Sequence, residues 1–526
     1  MNKKYFLMLS IASMMVLAAC KKSKTPSPTS SRTQLTLDSI FLYAKEIYYW
    51  NDKLPTYDAF NPRQYTSGST DVTNYKTELL NIAKYSSPYE WTTGSASPKY
   101  SYIFDKTDKN PTAYIDPVSS VDLEGNGNDV GMRFAIFTYS NDPGYIFYVG
   151  AVYQNSPAEK AGIVRGDLIK KINGVSYGAN YNSEYSALNT ALASTNMSLE
   201  VLKANGSTVT YNLTKSVFKS SPIYKTKIFT SGAKKIGYVA YARFSNAANS
   251  ETELTNIFND FASNGVTALI VDLRYNGGGY VSTAEHLINL IAPSTASGVM
   301  YTEYYNSTMQ SGNAKILSNQ PLLDAAGKIR YGSNGVMLTY ANVNYSTASN
   351  TASFSKKGNL TNVKDIVFLV SGSTASASEL VINSLKPYMT VSLVGRTTYG
   401  KPIGFFPVTI ENKYDVYFSL FETKNSLGQG GYFDGMTPTV STSELITDVN
   451  NSIFNAMYDF GDARDGYTKA ALSILAPNAT FTNGLIATKS VNASGKTMIA
   501  TENVASLELV DRQFRGMVED RFKLKN

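Results

Sequence analysis

Ile366-Val367-Phe368-Leu369-Val370, followed by Ser371-Gly372-Ser373-Thr374-Ala375-Ser376-Ala377-Ser378-Glu379, is the stretch on which the fold turns. Five apolar residues, four of them β-branched or aromatic, read as a strand buried on both faces. The small-residue turn after it leads into a helix from about Ser376 to Leu385, and Thr390-Val391-Ser392-Leu393-Val394 reads as the next strand. The same logic occurs upstream, with strand Ile236–Tyr241, an amphipathic helix from about Glu251 to Ala262, and strand Ala268–Leu273. These are β-α-β units, which place ligand-facing turns at the carboxyl ends of parallel strands.

Two such turns carry residues fit for chemistry. Asp272-Leu273-Arg274-Tyr275-Asn276-Gly277-Gly278-Gly279 ends in three glycines, which reach backbone conformations closed to other residues and let a substrate approach their N–H groups. The second turn delivers Ser376 to a helix N-terminus, where the local positive potential favours developing negative charge. A serine there also serves as a helix N-cap, and Ser373 and Ser378 are nearby alternatives. Glu379 in the first turn of the helix reads as a partner of the helix dipole, and Asp272 and Arg274 as structural hydrogen-bonding groups. A base must come from elsewhere, and Lys401 follows in Thr397-Thr398-Tyr399-Gly400-Lys401-Pro402-Ile403-Gly404-Phe405-Phe406. One helix and one strand fill the interval, so the crossover can bring Lys401 back to the mouth that holds Ser376. A lysine acts as a base only when neutral, so its pKa must fall from ~10.4 to ~7–8, a shift that desolvation by apolar walls supplies. His286, on the helix after the glycine turn, is the alternative base in a Ser–His arrangement.

Upstream of the core, Gly131-Met132-Arg133-Phe134 follows an Asn/Gly-rich break and precedes a strand at Tyr145–Val149. Then come Ser156-Pro157-Ala158-Glu159-Lys160-Ala161-Gly162 and Gly166-Asp167-Leu168-Ile169-Lys170-Lys171-Ile172-Asn173-Gly174. That order resembles a PDZ domain. The resemblance implies that the loop at Gly131, Met132, Arg133 and Phe134 cradles a peptide carboxylate, that the following strand edge accepts an extended peptide, and that a helix over Tyr185–Leu192 walls the groove.

At the amino end, Lys3 and Lys4 precede an apolar run from Tyr5 to Ala19, too short to span a bilayer and suited to an export signal. Leu17-Ala18-Ala19-Cys20 resembles a bacterial lipobox, which implies lipidation of Cys20, the chain's one cysteine, and a lipid-anchored place in the cell envelope. Residues 20–33 read as a Pro/Ser-rich tether, 34–122 as a helical N-terminal domain, 123–220 as the PDZ-like domain, 221–440 as the α/β core, and 441–526 as C-terminal helices and tail. The expected fold class is multidomain α+β.

Composition narrows the function. The 526 residues, 43% of them apolar and 17% charged, suit several compact units. A net charge of +7 without a basic stripe gives nucleic-acid binding no support. One cysteine and one histidine leave no disulfide framework and too few soft ligands for zinc, so no metal or cofactor is expected.

Taken together, the D-L-R-x-N-x-G-G turn, the T-A-S-A-S-E segment and the G-K pair resemble the C-terminal processing, or tail-specific, serine peptidases, in the lipoprotein branch. The resemblance covers roughly residues 126–440. It implies that Ser376 is the nucleophile and Lys401 the base of a Ser–Lys dyad, that the N–H groups of Gly277, Gly278 and Ala377 form the oxyanion hole, and that the substrates are proteins or peptides. Two positions depart from the family pattern: Pro402 and Phe405 replace parts of G-K-G-x-x-Q, whose glutamine helps orient the lysine, and Pro387 replaces a helix-end aspartate. These departures motivate the alternative of a peptide-binding scaffold lipoprotein with a degenerate site.

Overall fold

A computed structural model of the chain describes residues 30–107, 121–139, 142–324, 327–448, 453–479, 481, 498–500 and 516–525. Cys20 and the signal-like run lie outside the described residues.

The core is a six-stranded sheet in the order Ile223–Ser231, Lys234–Tyr241, Ala268–Asp272, Asp365–Val370, Thr390–Gly395 and Val440–Ser441. The first pair is antiparallel and the others are parallel, as the two crossovers require. Every residue of Ala268–Asp272 is buried because both faces of the sheet are covered. On one face lie the helices Ala247–Ser263, Val281–Ile291 and Ala377–Leu385, which pack Leu254, Phe258, Leu287 and Leu380 against Val239, Leu269 and Phe368. On the other, Tyr467, Ala471 and Leu472 of helix Gly466–Leu475 close over Tyr238, Ile270 and Val367.

A second, antiparallel sheet in the order Thr351–Ser353, Val299–Tyr305, Phe421–Asn425 and Ile403–Gly404 flanks the core and carries the chain away from Lys401. The N-terminal helices Arg32–Ile47 and Asp71–Ala83 have no core of their own, since Leu37, Phe41, Tyr75 and Leu79 belong to one apolar cluster with Phe405 and Tyr414. Strand Tyr102–Asp105 fastens this unit by pairing with Tyr414–Tyr417.

The PDZ-like sheet runs Met498–Ala500, Met132–Tyr139, Asp142–Val152, Leu168–Ile172, Asn196–Leu202 and Thr208–Thr214. Ser156 caps the one-turn helix Pro157–Ala161, and Tyr181–Ala193 forms the longer helix over the sheet.

Two expectations are corrected. The tether is shorter than residues 20–33, because Ser31 accepts from the Gln34 N–H and Gln34 returns the bond to the Ser31 N–H, which starts a helix at Arg32. Where 441–475 reads from the sequence as a helix pair, its described residues hold one helix, Gly466–Leu475. Ile446–Asp448 and Ile453–Ala456 pair antiparallel, where β-branched residues outweigh the helical spacing of the apolar ones.

Candidate active site

The turns after Ala268–Asp272 and Asp365–Val370 are stitched together by small polar side chains. Thr374 Oγ1 donates to the Leu273 carbonyl at 2.7 Å, Ser378 Oγ to the Asn276 carbonyl at 3.0 Å, and Ser371 Oγ to the Arg274 carbonyl. The Ala375 N–H adds a bond of 3.1 Å to the Asn276 carbonyl. Asn276 supports the glycine turn from beneath: its amide donates to the Tyr241 carbonyl at 2.9 Å and its Oδ1 accepts from the Gly278 N–H at 2.9 Å.

Ser376 opens the helix Ala377–Leu385 at φ 61° and ψ −108°, a region that costs a non-glycine residue ~1–3 kcal/mol. Its side chain is fully buried, and Oγ has no hydrogen-bond partner among the described residues. Ser376 holds the N-cap position, but its Oγ makes no capping bond. A strained strand-to-helix turn that presents one serine oxygen is the geometry of a nucleophile elbow.

Glu379, one turn into the helix, organises what surrounds this serine. Its Oε2 accepts from the Ser376 N–H and from the Lys401 N–H, each at 2.8 Å, so one oxygen holds both backbones. Its Oε1 accepts from the Gly400 N–H at 2.8 Å and from Thr398 Oγ1. Burial pushes the Glu379 carboxyl above its usual range, although these four donors oppose the shift. The sequence reads Glu379 as a dipole partner; the structure gives it a larger role. A Glu three residues after a serine at a helix start signals a carboxylate that folds back on the N-cap N–H, and that signal pointed to the observed role.

Lys401 is 1% exposed. Its Nζ lies 4.2 Å from the centroid of the Phe405 ring and 5.7 Å from that of Tyr100. Tyr100 belongs to the N-terminal unit and donates from its hydroxyl to the Gly400 carbonyl at 2.7 Å. Phe405 is in turn packed edge-on by Tyr102 and Tyr417, which makes the lysine's surroundings aromatic. Of the glycine-turn amides, Gly278 N–H is taken by Asn276, whereas neither the Gly277 nor the Ala377 N–H meets an acceptor among the described residues. A Cβ on Gly278 would lie 3.1 Å from the Ala377 nitrogen, so the two turns meet there.

The other candidates fall elsewhere. His286 has its Nε2 2.9 Å from Thr255 Oγ1, and its Nδ1 2.9 Å from Lys357 Nζ and 3.2 Å from Glu251 Oε2. Both ring nitrogens are engaged at the contact between two helices and not with Ser376. Asp272 and Arg274 make the structural hydrogen bonds expected of them, within a buried ion pair. In the PDZ-like loop, Met132 and Phe134 enter the domain's own core, and the Gly131 N–H donates to Asp129 Oδ1 at 2.7 Å. Arg133 turns toward the core, donating to Ser373 Oγ at 3.1 Å with its guanidinium 4.1 Å from the Tyr275 ring centroid. Among the described residues, no group of three or more His, Cys, Asp or Glu side chains is placed to hold a metal ion.

Residues 235–442 match the family model of Peptidase family S41, and residues 148–202 that of the PDZ domain. The chain carries an S41 peptidase domain behind a PDZ domain. Among curated proteins, it is 25% identical over 283 residues to a carboxyl-terminal-processing protease of Synechocystis sp. (strain ATCC 27184 / PCC 6803 / Kazusa), covering 53% of this chain and 54% of that one. It is 27% identical over 295 residues to the carboxy-terminal processing protease CtpA of Bacillus subtilis (strain 168), covering 56% and 50%. The chain spans about half the length of the curated relatives it matches. A crystal structure described as an S41 protease of Bacteroides fragilis NCTC 9343 superposes with a TM-score of 0.53 at 21% identity, covering 84% of this chain and 97% of that one, which establishes the shared fold. Ser376, Lys401 and both turns fall inside the S41 domain, and the Tyr181–Ala193 helix inside the PDZ domain.

Proposed function

We propose that this protein is a serine endopeptidase of the cell envelope that takes protein C-termini or unfolded segments through its PDZ domain and cleaves them with a Ser376–Lys401 dyad. The observation that carries the reading is the strained, buried Ser376 with an uncommitted Oγ, tied through Glu379 to the backbone of Lys401. Ser376 Oγ attacks the scissile carbonyl carbon while neutral Lys401 Nζ takes its proton. The oxyanion that forms lies within reach of the Ala377 and Gly277 N–H groups. Lys401 then returns the proton to the departing amine, and water hydrolyses the acyl-enzyme by the same route reversed. The burial of Lys401, whose backbone N–H shares Glu379 Oε2 with the Ser376 N–H, supports the base role.

The test is cleavage of an unfolded protein by residues 21–526 between pH 5 and 10, with products read by mass spectrometry. Activity that rises with pH and is lost in Ser376→Ala and Lys401→Ala supports the dyad, and activity that survives Lys401→Ala removes Lys401 as the base. Phe405, standing where relatives hold an orienting glutamine, favours a second reading, a peptide-binding scaffold, for which peptide binding would persist with no cleavage under any condition. Membrane anchoring through Cys20 is part of the proposal. Cys20→Ser is expected to move the protein from the membrane to the soluble fraction, and an unchanged fractionation would remove the anchor.

A further inference from the structure

The lane beside Ser376 contains a piece of this chain. Gly516–Val518 runs parallel to the glycine-turn strand Gly278–Tyr280, with Gly516 opposite Gly278 and Met517 opposite Gly279, and the Gly516 N–H donates to the Gly277 carbonyl at 3.0 Å. Its other edge meets the segment that follows Lys401: the Phe405 N–H donates to the Met517 carbonyl at 2.9 Å, and the Glu519 N–H to the Phe405 carbonyl at 3.1 Å. The strand thus fills the gap between the two turns that supply the proposed oxyanion donors and the segment that supplies the base. The Gly516 carbonyl oxygen lies 2.3 Å from where a Cβ on Gly278 would stand, on the side where that Cβ also meets the Ala377 nitrogen. Met517 is fully buried.

Beyond the cleft the segment is held by lighter contacts. The Phe522 ring lies 5.5 Å from that of Phe406 and 5.1 Å from that of Tyr340. Leu524 bridges Val343, flanked by bonds from the Asn344 N–H to the Lys523 carbonyl and from the Lys525 N–H to the Asn342 carbonyl, each at 2.8 Å.

The PDZ domain has the same arrangement. Met498–Ala500 pairs antiparallel with Tyr139, Thr138 and Phe137 on the outer edge of the strand that follows Gly131. An open strand edge is a template for another chain, and β-augmentation of an edge is how extended peptides are captured.

We infer that both strand-accepting edges are peptide sites whose resident ligand is intramolecular, strand 498–500 on the PDZ domain and strand 516–518 in the cleft beside Ser376, and that protein substrate must displace this ligand to reach the serine. The inference rests on the function proposed above. A tethered ligand competes at an effective concentration in the millimolar range, so modest strand pairing suffices to hold it.

The test has an activity arm and an arm that needs no turnover. In the first, β-casein cleavage by the chain of residues 21–526 is compared with that of Phe522→Ala/Leu524→Ala, whose changes lie outside the site. The initial rate is expected to rise about fivefold or more, and a synthetic peptide of residues 514–525 added to the variant is expected to raise KM without changing kcat. In the second, the Ser376→Ala chain is studied by hydrogen exchange, and excess β-casein is expected to speed exchange at the Phe405, Gly516 and Glu519 amides. Faster exchange at those amides in a protein with no peptidase activity would overturn the proposed function and leave the intramolecular ligand standing. Bound β-casein with unchanged exchange would show that the strand is a fixed wall of the cleft and overturn the inference. A variant that loses activity in step with its melting temperature, with no competition by the peptide, would overturn it equally.

Discussion

Two buried charge clusters sit a few residues apart along the same turns, and they are built on opposite principles. Around Arg274, charge meets charge: its guanidinium holds Asp272 and Asp465 at 2.8 Å, while Arg165 from the PDZ domain holds Glu444 at 2.6 Å. Tyr275 and Tyr238 complete the carboxylate shells with hydroxyl bonds of 2.6 Å. Burial pushes the Glu444 and Asp465 carboxyls up, but the two guanidinium groups win and hold both below the usual carboxylate range. Around Ser376, the carboxyl of Glu379 is surrounded by neutral N–H and O–H donors, its pKa is raised by burial, and the side chain of Lys401 stands against aromatic rings. The first arrangement ties the PDZ domain to the core; the second ties the backbones of Ser376 and Lys401 to one carboxyl.

Damage to the two clusters is expected to show up in different measurements. The largest effect is expected at the site: Ser376→Ala and Lys401→Met should each lower kcat/KM for an unfolded protein by ~10³-fold or more while leaving the melting temperature within a few degrees. Next comes Arg274→Met, which leaves Asp272 and Asp465 buried without their partner and should cost about 3–5 kcal/mol in denaturant unfolding. Equal losses of stability from Lys401→Met and Arg274→Met would erase the distinction between the clusters.

A smaller effect tests what Glu379 does. Glu379→Gln places an amide N–H against the Ser376, Gly400 or Lys401 N–H donors, and should lower kcat by ~10–100-fold, with little change in KM and about 1–3 kcal/mol of lost stability. A KM effect alone would make it a binding residue.

The segment in the cleft offers a pH test. Burial raises the Glu519 carboxyl from 4.5 to about 7, and it faces Glu303, also raised by burial, with Arg521, Asp520 and Tyr305 around the pair. A carboxyl raised in the folded state gives stability that is complete below pH ~4.5 and is lost as pH rises through ~7. Protection of the Phe405 amide from exchange should therefore fall over that window, and Glu519→Gln should flatten the fall. The smallest expected effect is a gain: Ser376→Gly removes the backbone strain at φ 61° and should stabilise the fold by ~1 kcal/mol while abolishing activity.

Much of this was written in local pattern. The buried run Ile366–Val370, the small-residue turn and the three glycines announced strand ends and helix starts, because parallel strands and tight turns admit few residue types. Lys401 could be placed near Ser376 because a single crossover separates them. What stayed illegible was set by distant partners. Nothing within Gly516–Val518 says that it pairs with Gly278–Tyr280, since the edges that select it lie far away in the chain. The role of Arg133, which serves the core and not only its own loop, depends on where Tyr275 and Ser373 arrive. The strands Ile446–Asp448 and Ile453–Ala456 are hard to read from the sequence because their apolar residues fit a helical spacing as well as a strand one.

The most direct test of the central claim is labelling of residues 21–526 with a fluorophosphonate probe, with the adduct located by peptide mass spectrometry, in wild type, Ser376→Ala and Lys401→Met. The account predicts one adduct, on Ser376, formed faster as pH rises and reduced ~100-fold or more in Lys401→Met. An adduct on another serine, or one on Ser376 that forms at the same rate without Lys401, would contradict it.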